Sequence, residues 1–224
     1  MSLQLVMSGR NVLLFVPNLI GYLRLALIFA SCYWMLTEPG KAALCFALNK
    51  FLLDDLDGIA ARRLNQVSLF GTTLDPILDQ TSFIVWVSGV SMLYSESSFW
   101  LLSFLTLDTV KMMVKVNCSL LLGEEDNKAS YGSAIVRFYY SQLGLHTLLY
   151  GSDSFFIALY LRHFNPGPSL FSVAGAEWGL WQACTVALFP LVLLKTAMNV
   201  LILKLACQQI VELDHRVSPH VCTS

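Results

Sequence analysis

The chain has 224 residues, of which 56% are hydrophobic and 13% are charged, and its formal net charge is −1. Soluble domains average roughly 25% charged residues, so this chain carries about half the charge that a water-facing surface needs. The composition excludes disordered, collagen-like and coiled-coil classes, and a chain this close to neutral offers no basic field for nucleic acid. The six cysteines occur without a Cys-x-x-Cys pair, which indicates neither a disulfide framework nor a zinc site.

Six apolar segments, separated by polar or Gly/Pro-containing connections, are long enough to cross a bilayer, which takes about 20 residues. In chain order their approximate bounds are Asn18–Thr37, Lys41–Arg63, Gly71–Tyr94, a fourth from the Ser95–Ser98 connection to Leu122, Ile135–Leu161 and Gly179–Cys207. The sequence therefore predicts an all-α polytopic membrane protein with six transmembrane helices. We expect one domain over residues 1–224 and no cleaved signal peptide.

The basic residues predict the orientation of these segments. Six spans put both termini on one side of the membrane. Most of the Lys and Arg near the segment ends fall on that side: Arg10, Arg62, Arg63, Lys128, Lys204 and Arg216. Lys41 and Arg162 fall on the other side. Because cytosolic loops carry an excess of Lys and Arg, both termini and the loop after the second segment are predicted to be cytosolic.

Four carboxylates interrupt the second and third segments. Asp54 and Asp57 are three residues apart, and Asp75 and Asp79 are four apart, so each pair shares one helix face. Ionisable residues are rare in spanning helices unless they are paired or functional. Two antiparallel helices would aim all four at one point, where like charges need a cation among them. Oxygen ligands favour Mg²⁺, Mn²⁺ or Ca²⁺, and Mg²⁺ usually shares substrate phosphates, so a phosphate-bearing substrate is predicted.

Small and basic residues flank these carboxylates. Gly58 follows Asp57, and Gly71 begins the third segment, so a ligand or the facing backbone can approach closely at both positions. Ala61 is small in the same way. Arg62 lies about two turns beyond Asp54, where a guanidinium can bind a phosphate with two hydrogen bonds. The alternative for Arg62 is an anchor at the cytosolic surface.

Together these residues form the pattern D-x-x-D-G-x-x-A-R-(x8)-G-x-x-x-D-x-x-x-D, which resembles the signature of the CDP-alcohol phosphotransferases. The resemblance implies six spanning helices, a homodimer, two divalent ions (Mg²⁺ or Mn²⁺) and transfer of a phosphate-alcohol unit from a CDP-linked donor with release of CMP. It also implies that Asp54, Asp57 and Asp75 bind metal and that Asp79 both binds metal and deprotonates the acceptor hydroxyl. The residues implied to line the cytidine diphosphate site are Gly58, Ala61, Arg62 and Gly71.

Further segments, among them Val16–Arg24, Ala60–Gln66 and Ala158–Phe164, resemble the animal branch of that family that joins CDP-diacylglycerol to myo-inositol. The resemblance implies an endoplasmic reticulum protein whose active site faces the cytosol. Asn18 and Arg24 are predicted to complete the CDP-diacylglycerol pocket. Arg137 is predicted to bind the acceptor, with an anchor at the membrane interface as its alternative.

Three positions depart from that branch. Gln80 follows the last motif Asp in place of a basic residue, Lys111 lies where a Ser-His-aromatic run is typical, and Gln142 lies where a second Arg is typical. All three belong to the acceptor side of the resemblance. Two alternatives therefore stay open: the same donor chemistry with another acceptor alcohol, or a non-catalytic membrane paralogue. A transporter is disfavoured because the acids are confined to two consecutive helices and no repeat is present.

Overall fold

The fold is given by a computed structural model, which describes residues 11–122, 141–173 and 176–217. After a 3-10 turn at Val12–Leu14, helix α1 spans Val16–Trp34. Helix α2 (Pro39–Ala47) continues through a π-helical segment (Leu48–Leu53) into helix α3 (Asp54–Arg63) without a break. Pro39 suits the first turn because its fixed φ is helical and its missing N–H has no helical partner there. Asn65, with a φ of 51°, turns the chain out of α3.

The remaining elements follow with short connections. Helix α4 spans Leu69–Leu93 and helix α5 spans Ser98–Leu122. Helix α6 spans Gln142–Phe164, and the Ser141 hydroxyl caps it by accepting from the Gly144 N–H at 3.1 Å. Strands β1 and β2, described below, precede the last helix, α7, which spans Leu180–Val217.

Each predicted apolar segment coincides with a helix or with the α2–α3 rod, although residues 135–140 of the fifth lie outside the described ranges. Two described helices are long and apolar enough to cross a membrane by length and composition. They are Val16–Trp34, with a mean hydropathy of 1.3, and Leu180–His215, with 2.1. The α2–α3 rod, α4, α5 and α6 all contain charged residues, which lower their hydropathy. Six membrane crossings therefore stay a prediction.

The described chain is mostly helical, as predicted, but between α6 and α7 it also contains a short β-hairpin that the sequence did not predict. There, strand β1 (Ser169–Val173) pairs antiparallel with strand β2 (Ala176–Gly179), and Ser172 lies opposite Glu177. Helix α6 ends before Pro166, and Gly167 has a φ of 82°, a left-handed conformation that glycine adopts without strain. The Pro-Gly-Pro turn redirects the chain before a new helix can form, and the hairpin follows it.

The chain divides into two compact units, Met1–Gly89 and Val90–Ser224. In the first unit, α1 packs against α2 and α3. Phe46 of α2 and Trp86 of α4 form a buried stack with ring centroids 4.4 Å apart. This packing holds the α2–α3 rod, α1 and the first part of α4 together, which are the elements that carry the predicted site.

In the second unit, α7 packs against α5 and α6 around a buried polar network. Asp108 of α5 accepts hydrogen bonds from Lys111 Nζ at 3.1 Å and from Asn199 Nδ2 at 2.9 Å. Lys195 of α7 donates to the Ser152 hydroxyl of α6 at 2.9 Å. Because buried polar groups cost free energy unless they are bonded, these contacts fix which faces of the three helices meet.

We expect the Asp108→Ala variant to be strongly destabilised, because it leaves Lys111 and Asn199 buried without this acceptor. Removing one partner of a buried pair costs about 3–5 kcal/mol, which corresponds to a melting temperature lower by roughly 10 °C. Thermal unfolding in detergent measures the shift. The control is Glu38→Ala, which breaks an exposed pair with Lys41 at 2.7 Å and should cost less than about 1 kcal/mol. Equal melting temperatures for the two variants would contradict the role of the network.

Candidate active site

A single arginine side chain joins all four carboxylates of the motif. Arg24 of α1 is fully buried, and its Nη1 lies 2.6 Å from Asp57 Oδ2 and 2.7 Å from Asp75 Oδ1. Its Nη2 lies 2.6 Å from Asp54 Oδ1 and 2.6 Å from Asp79 Oδ1. A guanidinium can do this because it presents five N–H donors in one plane.

The backbone places these groups by simple helix geometry. Asp54 and Asp57 lie in the first turn of α3 on one face, and Asp75 and Asp79 lie one turn apart on α4. The buried Asn49 of the π-helical segment accepts a hydrogen bond from Arg24 Nε at 3.1 Å, which orients the guanidinium plane. Three separate helical elements therefore converge on the arginine.

The carboxylate set fits a divalent ion. Among the residues described, Asp54, Asp57 and Asp75 each offer one oxygen, and these oxygens all lie within 4.8 Å of one another. Carboxylate oxygens at such spacing are ligands that Mg²⁺ and Mn²⁺ accept. Asp79 does not belong to this set of three.

Asp79 is paired with a lysine that the sequence analysis did not single out. Lys50, in the π-helical segment, lies with its Nζ 3.0 Å from Asp79 Oδ1 and 3.4 Å from the Asp79 carbonyl oxygen. Its side chain is 10% exposed. The signal was present in the sequence as a charged residue inside a predicted span, four residues before Asp54.

A cavity of about 330 Å³ opens beside the carboxylates. Its lining includes Asp57 and Asp75 together with the predicted donor-binding residues Asn18, Gly58, Ala61, Arg62 and Gly71. α1, α3, α4 and the loop between α3 and α4 form its walls. The structure thus brings together around one space residues that are more than 50 positions apart in the chain.

One polar atom in the cavity wall has no partner among the described residues. Asn18 is buried, and its Nδ2 donates to the Val12 carbonyl at 2.6 Å, whereas its Oδ1 accepts no hydrogen bond. A Cβ added to Gly71 would lie 2.9 Å from this Oδ1. The absence of a side chain at Gly71 therefore leaves room for the buried Asn18 oxygen beside the cavity.

One predicted residue lies elsewhere in the site, and another cannot be placed. Arg24 was predicted in the donor pocket, but the structure places its guanidinium among the four carboxylates and not in the cavity wall. The physical reason is that its side chain gains four charged partners there. Arg137 lies outside the described residues.

The comparison with protein families gives one match, to the CDP-alcohol phosphatidyltransferase family over residues 14–165. The chain belongs to this family. The match covers more than half of the chain, and it includes Arg24, Lys50 and all four carboxylates. This family membership fits a carboxylate cluster beside a cavity.

The chain is also similar to curated members of the family. It is 36% identical over 211 residues to CDP-diacylglycerol–inositol 3-phosphatidyltransferase of Homo sapiens, covering 93% of this chain and 96% of that one. The Drosophila melanogaster protein of the same name is 29% identical over 191 residues, covering 85% and 82%. The Saccharomyces cerevisiae protein of that name is 30% identical over 203 residues, covering 89% and 87%. No solved structure gives a significant match.

We expect Arg24→Met to destabilise the metal-free protein, because four carboxylates would face one another without the guanidinium. Breaking a buried ion pair costs about 3–5 kcal/mol, so the melting temperature in EDTA should fall by roughly 10 °C. Arg63→Met, at the exposed end of α3, is the control and should melt within about 2 °C of the unchanged protein. An Arg24→Met protein that melts with this control would show that the arginine does not hold the cluster.

We expect Gly71→Ala to weaken donor binding with little effect on stability. The new methyl group would push on Asn18 at the cavity wall, so the KM for a CDP-linked donor should rise by about 10-fold, which corresponds to roughly 1.4 kcal/mol. Gly40→Ala is the matched control, because nothing lies within 4 Å of a Cβ at that position. Steady-state kinetics with varied donor concentration measures both variants. An unchanged KM for Gly71→Ala would contradict a donor site in this cavity.

Proposed function

We propose that this protein transfers the phosphatidyl group of CDP-diacylglycerol to myo-inositol, giving phosphatidylinositol and CMP. The observation that carries the proposal is the convergence of four carboxylates from α3 and α4 beside a cavity lined by the small and basic residues of the motif. The names of the relatives support inositol as the acceptor.

Two Mg²⁺ or Mn²⁺ ions held by Asp54, Asp57, Asp75 and Asp79 would polarise the diphosphate and stabilise the charge that develops on it. The oxygen-only character of this donor set supports the assignment. Binding of these ions would give Arg24 competitors for the same oxygens, since the guanidinium now contacts all four carboxylates.

The donor site follows from the cavity wall. The cytidine diphosphate would enter the space between α1, α3 and α4, where Asn18 Oδ1 has an accepting lone pair to offer. Gly58, Ala61 and Gly71 leave room for close approach, and Arg62 can donate two hydrogen bonds to a phosphate. The acyl chains would remain in the bilayer, because the donor enters sideways from the cytosolic leaflet.

Asp79 is the proposed general base. Its side chain is 37% exposed, so an acceptor from water can reach it. The carboxylate takes the proton of one inositol hydroxyl, the hydroxyl oxygen forms a bond to the lipid-linked phosphorus, and the bond from that phosphorus to CMP breaks. CMP leaves with the bonding electron pair, so no covalent enzyme intermediate is needed. Arg24 and Lys50 hold the Asp79 carboxylate in position during this step.

The wider arrangement is proposed from the family resemblance and from the six apolar segments. We place the six helical segments across the membrane of the endoplasmic reticulum, with the motif facing the cytosol and the chain forming a homodimer. Residues 1–224 would act as one domain, because the family match at 14–165 runs across the boundary between the two compact units.

We expect Asp79→Asn to lower transfer by roughly 10²–10⁴-fold, the range that general-base catalysis contributes. Asp55→Asn is the control, because Asp55 is exposed and belongs to no part of the proposed machinery. The assay is incorporation of labelled myo-inositol into lipid by the purified protein with CDP-diacylglycerol and Mg²⁺. Near-normal turnover of the Asp79 variant would contradict its role as the base, whereas a loss in EDTA would support the metal site.

The same assay, run as a competition, distinguishes between candidate acceptor alcohols. We expect unlabelled myo-inositol to compete with the label, and we expect glycerol phosphate, serine and amino alcohols not to compete. Competition by one of these would identify a different acceptor for the same donor site. Donor binding without any product would favour a non-catalytic paralogue.

A further inference from the structure

Lys50 is a cation inside the acid cluster that the proposed mechanism does not require for donor or acceptor binding. Its side chain is almost buried, and its Nζ lies 3.0 Å from Asp79 Oδ1. Charged residues in spanning helices are by default candidates for function, and π-helical segments such as Leu48–Leu53 recur at functional sites. These features indicate a function for Lys50 beyond holding the Asp79 carboxylate in position.

The charges of the cluster suggest what that role is. Four carboxylates carry four negative charges, and Arg24 and Lys50 each contribute one positive charge within 3.0 Å of them. When all four carboxylates are ionised, a net charge of −2 remains among groups that are close enough to repel one another. One divalent ion neutralises that charge, and a second ion would leave an excess of two positive charges.

The geometry of the carboxylates also favours one bound divalent ion. Among the described residues, the oxygens that lie within 4.8 Å of one another come from Asp54, Asp57 and Asp75, which suits a single ion. Asp79 is not one of these three; it contacts the same Arg24 Nη2 as Asp54, at 2.6 Å, and has the ammonium group of Lys50 beside it. Lys50 thus places next to Asp79 the positive charge that a second ion would otherwise supply.

We propose that Lys50 substitutes for a second divalent cation beside Asp79, so that the protein without substrate binds one divalent ion and gains the second only with the diphosphate of its donor. The donor's diphosphate brings two further negative charges, which restores the need for another divalent ion. Arg62 offsets less of this charge because it is exposed to water at the edge of the cavity. This inference rests on the proposed function for the identity of the donor.

The test counts bound Mn²⁺ on the full-length protein in detergent. After removal of metal with EDTA and of the chelator by gel filtration, the protein is titrated with Mn²⁺ while electron paramagnetic resonance records the free ion. We expect one ion per chain without donor, and two with saturating CDP-diacylglycerol in the absence of inositol. Two ions without donor, or no second ion with it, would overturn the proposal.

Three variants assign the effect to Lys50. Lys50→Met removes the positive charge and should bind two ions without donor, whereas Lys50→Arg keeps the charge and should bind one. Lys41→Met is the matched control, because Lys41 lies on the same rod but pairs with Glu38 at the exposed surface, and it should also bind one ion. A Lys50→Met protein that still binds one ion would overturn the role of Lys50.

These outcomes are independent of the proposed reaction. Melting curves and gel filtration verify that each variant is folded. If Lys50→Met does not fold, the comparison of Lys50→Arg with Lys41→Met still tests the proposal. Two ions bound to Lys50→Arg would then contradict the charge argument. If the Mn²⁺ counts follow the expectation but labelled inositol is never incorporated into lipid, the assignment of the acceptor fails while the metal inference stands.

Discussion

The contact between Arg24 and four aspartates is the interaction on which the first unit depends. Two helices that each carry two carboxylates cannot come together without a positive group between them, because like charges at this spacing repel strongly. The guanidinium supplies that group from α1, and Asn49 fixes its orientation. Folding of the first unit and construction of its site are therefore one event, since both need α1, α3 and α4 at the same point.

The described residues form a polar centre in each unit, and the two centres have different chemistry. The first has an excess of carboxylates, exposure at Asp75 and Asp79, and a cavity beside it. In the second, Asp108 is buried and bonded to Lys111 and Asn199, so its charge is compensated locally. A site that leaves negative charge and accessible oxygens suits a metal ion and a phosphate, whereas a compensated network suits helix packing.

Family membership identifies the chemistry of the site, and the geometry identifies the groups that surround its carboxylates. The match to the CDP-alcohol phosphatidyltransferases covers the motif and identifies the class of chemistry. The structure adds which groups within the chain surround each carboxylate. Lys50 beside Asp79 is such a case, because its part in the charge of the site follows from a distance and not from the motif.

The sequence by itself determined the helical segments, the pairing of the aspartates on two helix faces and the family, because hydropathy, residue spacing and the motif are local properties. It did not reveal the β-hairpin, which forms where the Pro-Gly-Pro turn redirects the chain. Only the tertiary structure placed Arg24 among the carboxylates and Lys50 against Asp79, contacts between residues 29 to 55 positions apart. Such contacts depend on how α1, the π-helical segment and α4 pack, and no local pattern encodes the position of a long side chain across that packing.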